Sequence, residues 1–163
     1  MRIVLTGSSG LIGAALVHGL REAGHDTVRL VRATAPRSTP DEPAWDPPAG
    51  VLNPRLLAGA DAIIHLSGDA IAKGRWTAAR KARIRSSRVD TTRLLCDTLR
   101  AMDRPPKTWL CASAVGIYGH RGDEVLTEST PPAATTPAMP AGSRFLAEVC
   151  RAWESAAAPA AEA

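Results

Sequence analysis

The stretch RIVLTGSSGLIGAAL, residues 2–16, decides the fold that this sequence predicts. A short apolar run without polar alternation ends at Thr6, which is typical of a buried parallel strand. Three glycines, Gly7, Gly10 and Gly13, follow at three-residue steps, and an Ala- and Leu-rich segment begins among them. The stretch therefore predicts a strand that passes through a glycine-rich turn into a helix.

The helix predicted after this turn leads into a second strand. It runs from Leu11 to Ala23, and Gly24 ends it, as glycine commonly does. The segment DTVRLVR, residues 26–32, is the next apolar run. Strand, helix and strand in about 30 residues form a βαβ unit. Helical spacing places five apolar side chains on one side of this helix: Leu11, Ile12, Ala15, Leu16 and Leu20.

Strands and helices continue to alternate along the chain. Residues 61–68 and 107–119 contain apolar runs that predict a third strand and a fourth strand with its exit. The proline-rich stretch 33–50 is expected to be an exposed loop with a short extended piece at 44–46. A long helix is predicted over 77–102, with a core side formed by Ile84, Val89, Leu95, Leu99 and Met102.

The predicted fold class is α/β, a Rossmann-type doubly wound, mostly parallel sheet with helices on both faces. A last helix is expected over 143–157, with Ser143 or Gly142 as its N-cap. Residues 1–163 are expected to form one domain. Doubly wound sheets usually have about six strands, whereas the sequence predicts four, so the chain is expected to be truncated.

Each of the three glycines has a physical role if the turn holds a nucleotide pyrophosphate. Gly7 would form the tight turn, Gly10 would let the backbone approach the phosphates, and Gly13 would let the helix pack on the strand. Backbone N–H groups and the helix dipole would then bind the phosphates. The alternative is a glycine turn that holds no ligand. The predicted cofactor contacts are Gly7, Ser8, Ser9, Gly10, Leu11, Ile12 and Gly13.

The end of the second predicted strand indicates which dinucleotide would bind. An acidic residue there would bind the ribose 2′-hydroxyl of NAD, but this strand ends with Arg32. A guanidinium has paired donors that suit a 2′-phosphate, so the sequence favours NADP(H) over NAD. Arg37 is a candidate for a second contact. The alternative is that Arg32 is an ordinary surface residue.

Composition and charge limit the classes of function. The net charge is +4, and much of the basicity lies in residues 74–93. This segment has three interpretations: a solvated helix face, a phosphate-binding surface and a nucleic-acid surface. The third is less favoured, because aromatic residues are scarce in the segment. No run is long enough to span a membrane, and metal-ligand spacing is absent. We expect no export, because the apolar run before Thr6 is too short for a signal peptide. A cytoplasmic protein with reduced thiols is expected from the odd, separated cysteines Cys96, Cys111 and Cys150.

Several motifs resemble those of a known family. TGSSGLIG, DAIIHLSG and ASAVGIYG occur in the order found in extended short-chain dehydrogenase/reductases. WDPPAG, SRVDTTRLL and FLAEVCRAWE resemble its atypical epimerase branch, often described as nucleoside-diphosphate-sugar epimerases. The resemblance covers essentially the whole chain, and it implies further C-terminal strands and a substrate region. It also implies that Leu66, Ser67, Gly68 and Arg88 contact the cofactor, and that Ser113 is catalytic.

The sequence departs from this family at the usual catalytic pair. Classical members have Tyr-x-x-x-Lys, but Tyr118 is followed four residues later by Gly122. At the positions that resemble the pair, this chain has Leu146 and Cys150. A phenol without a neighbouring cation is a weak base at neutral pH, so Tyr118 is a candidate acid/base that lacks the usual support. Asp123 and Glu128 are other candidates for this role, whereas His65 is expected to pack in the core.

These observations leave three functions open. The first is an NADP(H)-dependent epimerase or oxidoreductase that transfers a hydride to or from a small molecule of unknown identity. The second is an NADP(H)-binding sensor or scaffold module without turnover, which the absent Tyr-x-x-x-Lys pair favours. The third is nucleic-acid binding through the Arg-rich helix, with strongly salt-dependent affinity.

Overall fold

A parallel β-sheet forms the centre of the molecule. The computed structural model describes residues 1–33 and 44–162, and within these ranges the sheet has five strands in the order β3-β2-β1-β4-β5. Every pairing is parallel, so all the carboxyl ends lie at one edge. The predicted α/β fold class is confirmed. The strands are β1 Arg2–Thr6, β2 Asp26–Arg32, β3 Ala44–Trp45, β4 Ala62–His65 and β5 Thr108–Cys111.

Three α-helices connect and cover the strands. They are α1 Leu11–Glu22, α2 Ala78–Arg100 and α3 Ala141–Ala157. Within the described ranges there are also four short 3-10 helices: Pro47–Ala49, Pro54–Leu56, Val115–Tyr118 and Ala158–Glu162. Within the described ranges, none of the helices is both long and apolar enough to cross a membrane.

Alternate residues of β1 face two separate apolar clusters. Val4 belongs to a cluster that includes Leu95 and Leu99 of α2, whereas Ile3 and Leu5 pack with Val17 of α1. A strand points successive side chains to opposite faces, so the helices must lie on both faces of the sheet. This burial on both sides explains why β1 has no polar alternation.

Most predicted core residues are buried, but the first turn of α1 is an exception. Ile84, Val89, Leu95 and Leu99 are buried as predicted, and Met102 packs against their cluster. The prediction that Leu11 and Ile12 share the inner side of α1 is wrong, because they are 93% and 70% exposed. Ala15 is also exposed, whereas Leu16 and Leu20 are partly buried. The first turn extends beyond the carboxyl edge, where no described element covers it.

The predicted N-cap of α3 is also wrong. The helix begins at Ala141, its N-cap is Pro140, and no side chain caps it. Trp76 lies 3.8 Å from the position that a Cβ on Gly142 would occupy, and its ring meets Phe145 edge-on. This packing accounts for the earlier start, because tertiary contacts hold the first turn in helical form without a capping hydroxyl.

His65 is a core residue, as predicted. It is fully buried at the end of β4, and both ring nitrogens have hydroxyl partners. Nδ1 lies 2.6 Å from Thr6 Oγ1, and Nε2 lies 3.1 Å from Thr92 Oγ1. The ring stacks on Trp109 with centroids 5.8 Å apart. Burial lowers the pKa of His65 from 6.5 to about 4, so the imidazole is neutral at physiological pH.

Candidate functional site

The carboxyl edge of the sheet brings the sequence motifs together. The glycine loop, residues 7–13, follows β1, Leu66–Gly68 follows β4, and Ser113 follows β5. These three strands are neighbours in the parallel sheet, so their exits are adjacent. Ligands of open α/β sheets bind outside the carboxyl ends of the strands. This edge is therefore the candidate site.

The glycine loop is too tightly packed to accommodate side chains at two of its positions. Gly7 has φ +69°, and a Cβ on it would lie 2.7 Å from the carbonyl carbon and oxygen of Leu66. A Cβ on Gly13 would lie only 2.3 Å from the Gly7 carbonyl oxygen. The Gly10 amide donates to the same oxygen at 3.0 Å, which closes the turn. An added Cβ would clash with backbone atoms at Gly7 and at Gly13, so both positions require glycine.

The start of α1 provides backbone donors without competing side chains. Its N-cap is Gly10, no side chain caps the first turn, and that turn contains no acidic residue. Ser9, Gly10, Leu11 and Ile12 are all exposed around it. The first amides of a helix have no partners inside the helix and carry a partial positive charge. The arrangement can therefore accept a phosphate.

Ser8 differs from its neighbours because it faces inward. It is only 4% exposed, and its hydroxyl accepts a hydrogen bond from Arg29 Nε at 3.1 Å. Arg29 lies within β2, 21 residues along the chain. Ser8 can be identified from the sequence but Arg29 cannot, because a polar residue within a strand does not reveal which loop it contacts.

Arg32 lies at the carboxyl end of β2. Its side chain is exposed, and its backbone pairs in register with Trp45 of β3. Because β2 is parallel to β1, Arg32 lies at the same edge of the sheet as the exit of β1. Arg37, the candidate for a second contact, lies outside the described residues.

Arg88 lies against the backbone at the exit of β4. A Cβ on Gly68 would lie 3.0 Å from Arg88 Cζ, so glycine lets the guanidinium approach the main chain. Nη1 donates to the carbonyl oxygens of Asp69 and Ile84, each at 3.1 Å, and Cζ lies 5.3 Å from the centre of the Trp153 ring. Burial lowers the pKa of Arg88. The side chain thus joins the loop after β4 to α2 and α3.

The Arg-rich segment is divided between structural and solvent-exposed side chains. Arg80 is buried and forms an ion pair with Asp69, with Nη1 and Oδ2 2.5 Å apart, and it also donates to the Ala70 carbonyl. The Asp69 amide donates to Ser87 Oγ at 2.9 Å. By contrast, Arg83 and Arg85 are exposed. The segment is therefore only partly a solvated face, because Arg80 holds the loop that follows β4.

Ser113 at the exit of β5 is hydrogen-bonded to α3. Its Oγ donates to Glu154 Oε1 at 2.5 Å. A carboxylate at this distance forms a short, charge-assisted hydrogen bond that orients the hydroxyl. Glu154 lies 41 residues further along the chain, and it is not among the site residues predicted from the sequence.

The positions that resemble the Tyr/Lys pair lie against the 3-10 turn after β5. A Cβ on Gly116 would lie 3.2 Å from Leu146 Cβ and 3.5 Å from Cys150 Sγ. Burial raises the pKa of Cys150, so its thiol is neutral at pH 7 and supplies no cation. Tyr118 ends the same turn and is partly buried. In the part of the chain that the structure describes, no hydrogen bond joins Tyr118 to Ser113.

Comparison with known families identifies relatives for nearly the whole chain. The model of the NAD dependent epimerase/dehydratase family matches residues 3–158. An epimerase family protein of Mycobacterium bovis is 39% identical over 158 residues, which are 97% of this chain and 48% of the relative. The chain thus spans about half the length of that relative.

Two solved structures have the same fold and are at least 25% identical to this chain in sequence. The nucleoside-diphosphate sugar epimerase of Corynebacterium glutamicum is 39% identical, with a TM-score of 0.77, and the match covers 99% of this chain and 31% of that one. The human epimerase family protein SDR39U1, solved with NADPH, is 25% identical, with a TM-score of 0.73. That match covers 96% of this chain and 48% of the human one.

Proposed function

Because the chain belongs to the NAD dependent epimerase/dehydratase family, we propose that the carboxyl edge of its sheet binds a nicotinamide dinucleotide. The observation that carries the proposal is the turn from β1 into α1. Gly7 and Gly13 leave no room for side chains, and the first turn of α1 has no side-chain cap and no acid. This combination suits a pyrophosphate, which needs close backbone approach and unpaired amides. The cofactor would contact the glycine loop and four further residues, Leu66, Ser67, Gly68 and Arg88.

The preferred form of the cofactor in this proposal is NADP(H). β2 ends at Arg32, and the Arg32 side chain is exposed. An acidic residue at this position would repel a 2′-phosphate, whereas an arginine attracts it. A guanidinium binds phosphate oxygens through paired donors. The human relative was solved with NADPH, which supports this choice.

The proposed reaction is hydride transfer on a small molecule, as an epimerase or an oxidoreductase. A nicotinamide ring held at this edge would accept a hydride from a C–H bond and, in an epimerase, return it to the other face. Ser113 would hydrogen-bond the substrate oxygen. Tyr118 would accept the hydroxyl proton when the substrate is oxidised and donate it back when the substrate is reduced. The name of the Corynebacterium glutamicum relative favours a sugar nucleotide as the substrate class.

A second candidate function is binding of NADP(H) without turnover, as a sensor or scaffold. Leu146 and the neutral thiol of Cys150 occupy the positions that resemble the Tyr/Lys pair, and they contact the turn that carries Tyr118. Neither side chain can transfer a proton at neutral pH in the usual way. Cofactor binding is common to both candidates, so it is the first property to test.

The test is thermal unfolding with NADPH or NADH, on the wild type and on Arg32→Asp. A ligand at about 100 times its Kd adds about 2.7 kcal/mol to the free energy of unfolding, which corresponds to roughly 5–10 °C here. We expect NADPH to raise the Tm of the wild type more than NADH does, and Arg32→Asp to remove this difference. Arg104→Asp is the matched control, because Arg104 is exposed beyond the far end of α2. Equal shifts with both nucleotides in the wild type would contradict the NADP(H) assignment.

A further inference from the structure

Ser8 is anchored inside the glycine loop rather than presented to a ligand. The neighbouring Ser9 and Gly10 are exposed, whereas Ser8 is 4% exposed and its hydroxyl is 3.1 Å from Arg29 Nε. Of residues 8–10, only Ser8 thus has a buried side chain. Its hydroxyl is hydrogen-bonded to β2, the strand that pairs with the one from which the loop emerges.

Arg29 is well placed to hold the loop. It is paired in register with Leu5 of β1, the residue before the last in that strand. Thr27 lies two residues earlier, on the same face of β2, and accepts a hydrogen bond from Arg21 of α1 at 2.7 Å. The two arginines therefore form similar links on this side of the sheet. One supports the glycine loop, and the other joins the helix to the opposite end of the strand.

The glycine loop needs such a support. Gly7 and Gly10 have no side chains of their own to restrain the turn, and glycine loses more conformational entropy on ordering than any other residue. A loop that is ordered before its ligand arrives binds more tightly, because the ligand does not have to pay for the ordering. The hydrogen bond from Arg29 to Ser8 is a side-chain link by which β2 can help to order this turn.

We propose that Arg29 is a positioning residue, which holds the glycine loop through Ser8 in the conformation that accepts the cofactor pyrophosphate. This inference rests on the proposed function of dinucleotide binding. Arg29 acts on the part of the ligand that NADPH and NADH share. Arg32, by contrast, is proposed to distinguish them by the 2′-phosphate.

The experiment is a double-mutant cycle with Arg29→Gln, Ser8→Ala and the combined variant. Dissociation constants for NADPH and NADH are measured by isothermal titration calorimetry. We expect Ser8→Ala to weaken binding of both nucleotides about tenfold, which is typical for loss of one charge-assisted hydrogen bond, and Arg29→Gln to weaken it at least as much, because Arg29 has a further interaction. The combined variant should be no weaker than Arg29→Gln alone, because both changes remove the same link. The NADPH-to-NADH preference should not change.

Arg21→Gln is the matched control. It removes the comparable hydrogen bond from Arg21 Nε to Thr27, away from the glycine loop, so nucleotide affinity should remain within about twofold. Ser8→Ala is the milder probe if Arg29→Gln does not fold. Additive losses in the cycle, unchanged affinities, or equal losses in Arg21→Gln would each overturn the proposal. A changed NADPH-to-NADH preference would also overturn it, because Arg29 would then contact the 2′-phosphate.

Hydrogen exchange of the ligand-free protein separates this proposal from the proposed function. The Gly10 amide is hydrogen-bonded to the Gly7 carbonyl oxygen at 3.0 Å, so its exchange rate reports on the turn. We expect this rate to rise in Arg29→Gln and in Ser8→Ala, but not in Arg21→Gln. If the wild type bound neither nucleotide while these rates still rose, the proposed function would fail and the support of the loop by Arg29 would stand. Unchanged rates would remove that support.

Discussion

At the scale of single residues, Gly13 shows why the glycine loop does not tolerate a side chain at this position. A Cβ on Gly13 would lie 2.3 Å from the Gly7 carbonyl oxygen and 2.8 Å from Ser8 Cα. Both are backbone atoms, so α1 would have to move away from β1 to make room. The amides that are proposed to bind the pyrophosphate would move with the helix.

We therefore expect Gly13→Ala to lower the free energy of unfolding by about 1–3 kcal/mol, as overpacking does, and to abolish nucleotide binding. Gly19→Ala is the matched control, because Gly19 lies in the same helix with nothing within 4 Å of an added Cβ. That change should stabilise the protein by about 0.5–1 kcal/mol through helix propensity. Urea denaturation measures both values. A Gly13→Ala protein as stable as the wild type would contradict the packing described here.

The residues of the site differ in how far the sequence reveals them. Gly7 and Gly13 can be identified from spacing alone, because their roles depend on backbone within one turn and one neighbouring strand. The partners of Ser8 and Ser113 cannot, since Arg29 and Glu154 are 21 and 41 residues away. Only the three-dimensional arrangement of β2 and α3 brings these side chains to the loops.

At the scale of helices and strands, periodicity predicted the kinds of element well and their ends less well. The apolar runs of β1 and β4 are visible because both are buried on two faces. The first turns of two helices depend on tertiary packing that the local sequence does not contain. α1 begins at Leu11 as predicted, but its first turn lies beyond the sheet and is exposed, whereas α3 begins before the predicted Ser143, against Trp76.

The ends of α2 and α3 give a direct test of this difference. Thr77 caps α2, and its Oγ1 accepts from the Arg80 amide at 3.2 Å, whereas no side chain caps α3. Thr77→Ala should lower the free energy of unfolding by about 1 kcal/mol. Ser143→Ala, at the residue predicted to be a cap, should change it by less than about 0.5 kcal/mol. Equal losses in chemical denaturation would restore Ser143 as a cap.

At the scale of the whole molecule, His65 connects three other strands with α2 on one face of the sheet. It ends β4, contacts Thr6 of β1 and Thr92 of α2, and stacks on Trp109 of β5. Its ring also lies edge-on to Trp45 of β3. A proton on this imidazole would place a charge among apolar rings, which is why burial lowers its pKa to about 4.

The stability of the whole protein should therefore depend on pH through His65. The unfolded chain binds a proton at the ordinary pKa of 6.5 and the folded one only near 4, so stability is complete above pH 6.5 and falls as the pH is lowered towards 4. Between pH 7.5 and 5 this linkage should remove about 2 kcal/mol from the free energy of unfolding. His65→Gln, whose amide can still bond to both threonines, should be less stable at pH 7.5 but should lose about 2 kcal/mol less over this interval. His18→Gln is the control, because the His18 side chain is 77% exposed and its removal should leave the wild-type pH dependence. Urea denaturation at both pH values measures the difference, and the same pH dependence in His65→Gln as in the wild type would show that His65 does not cause it.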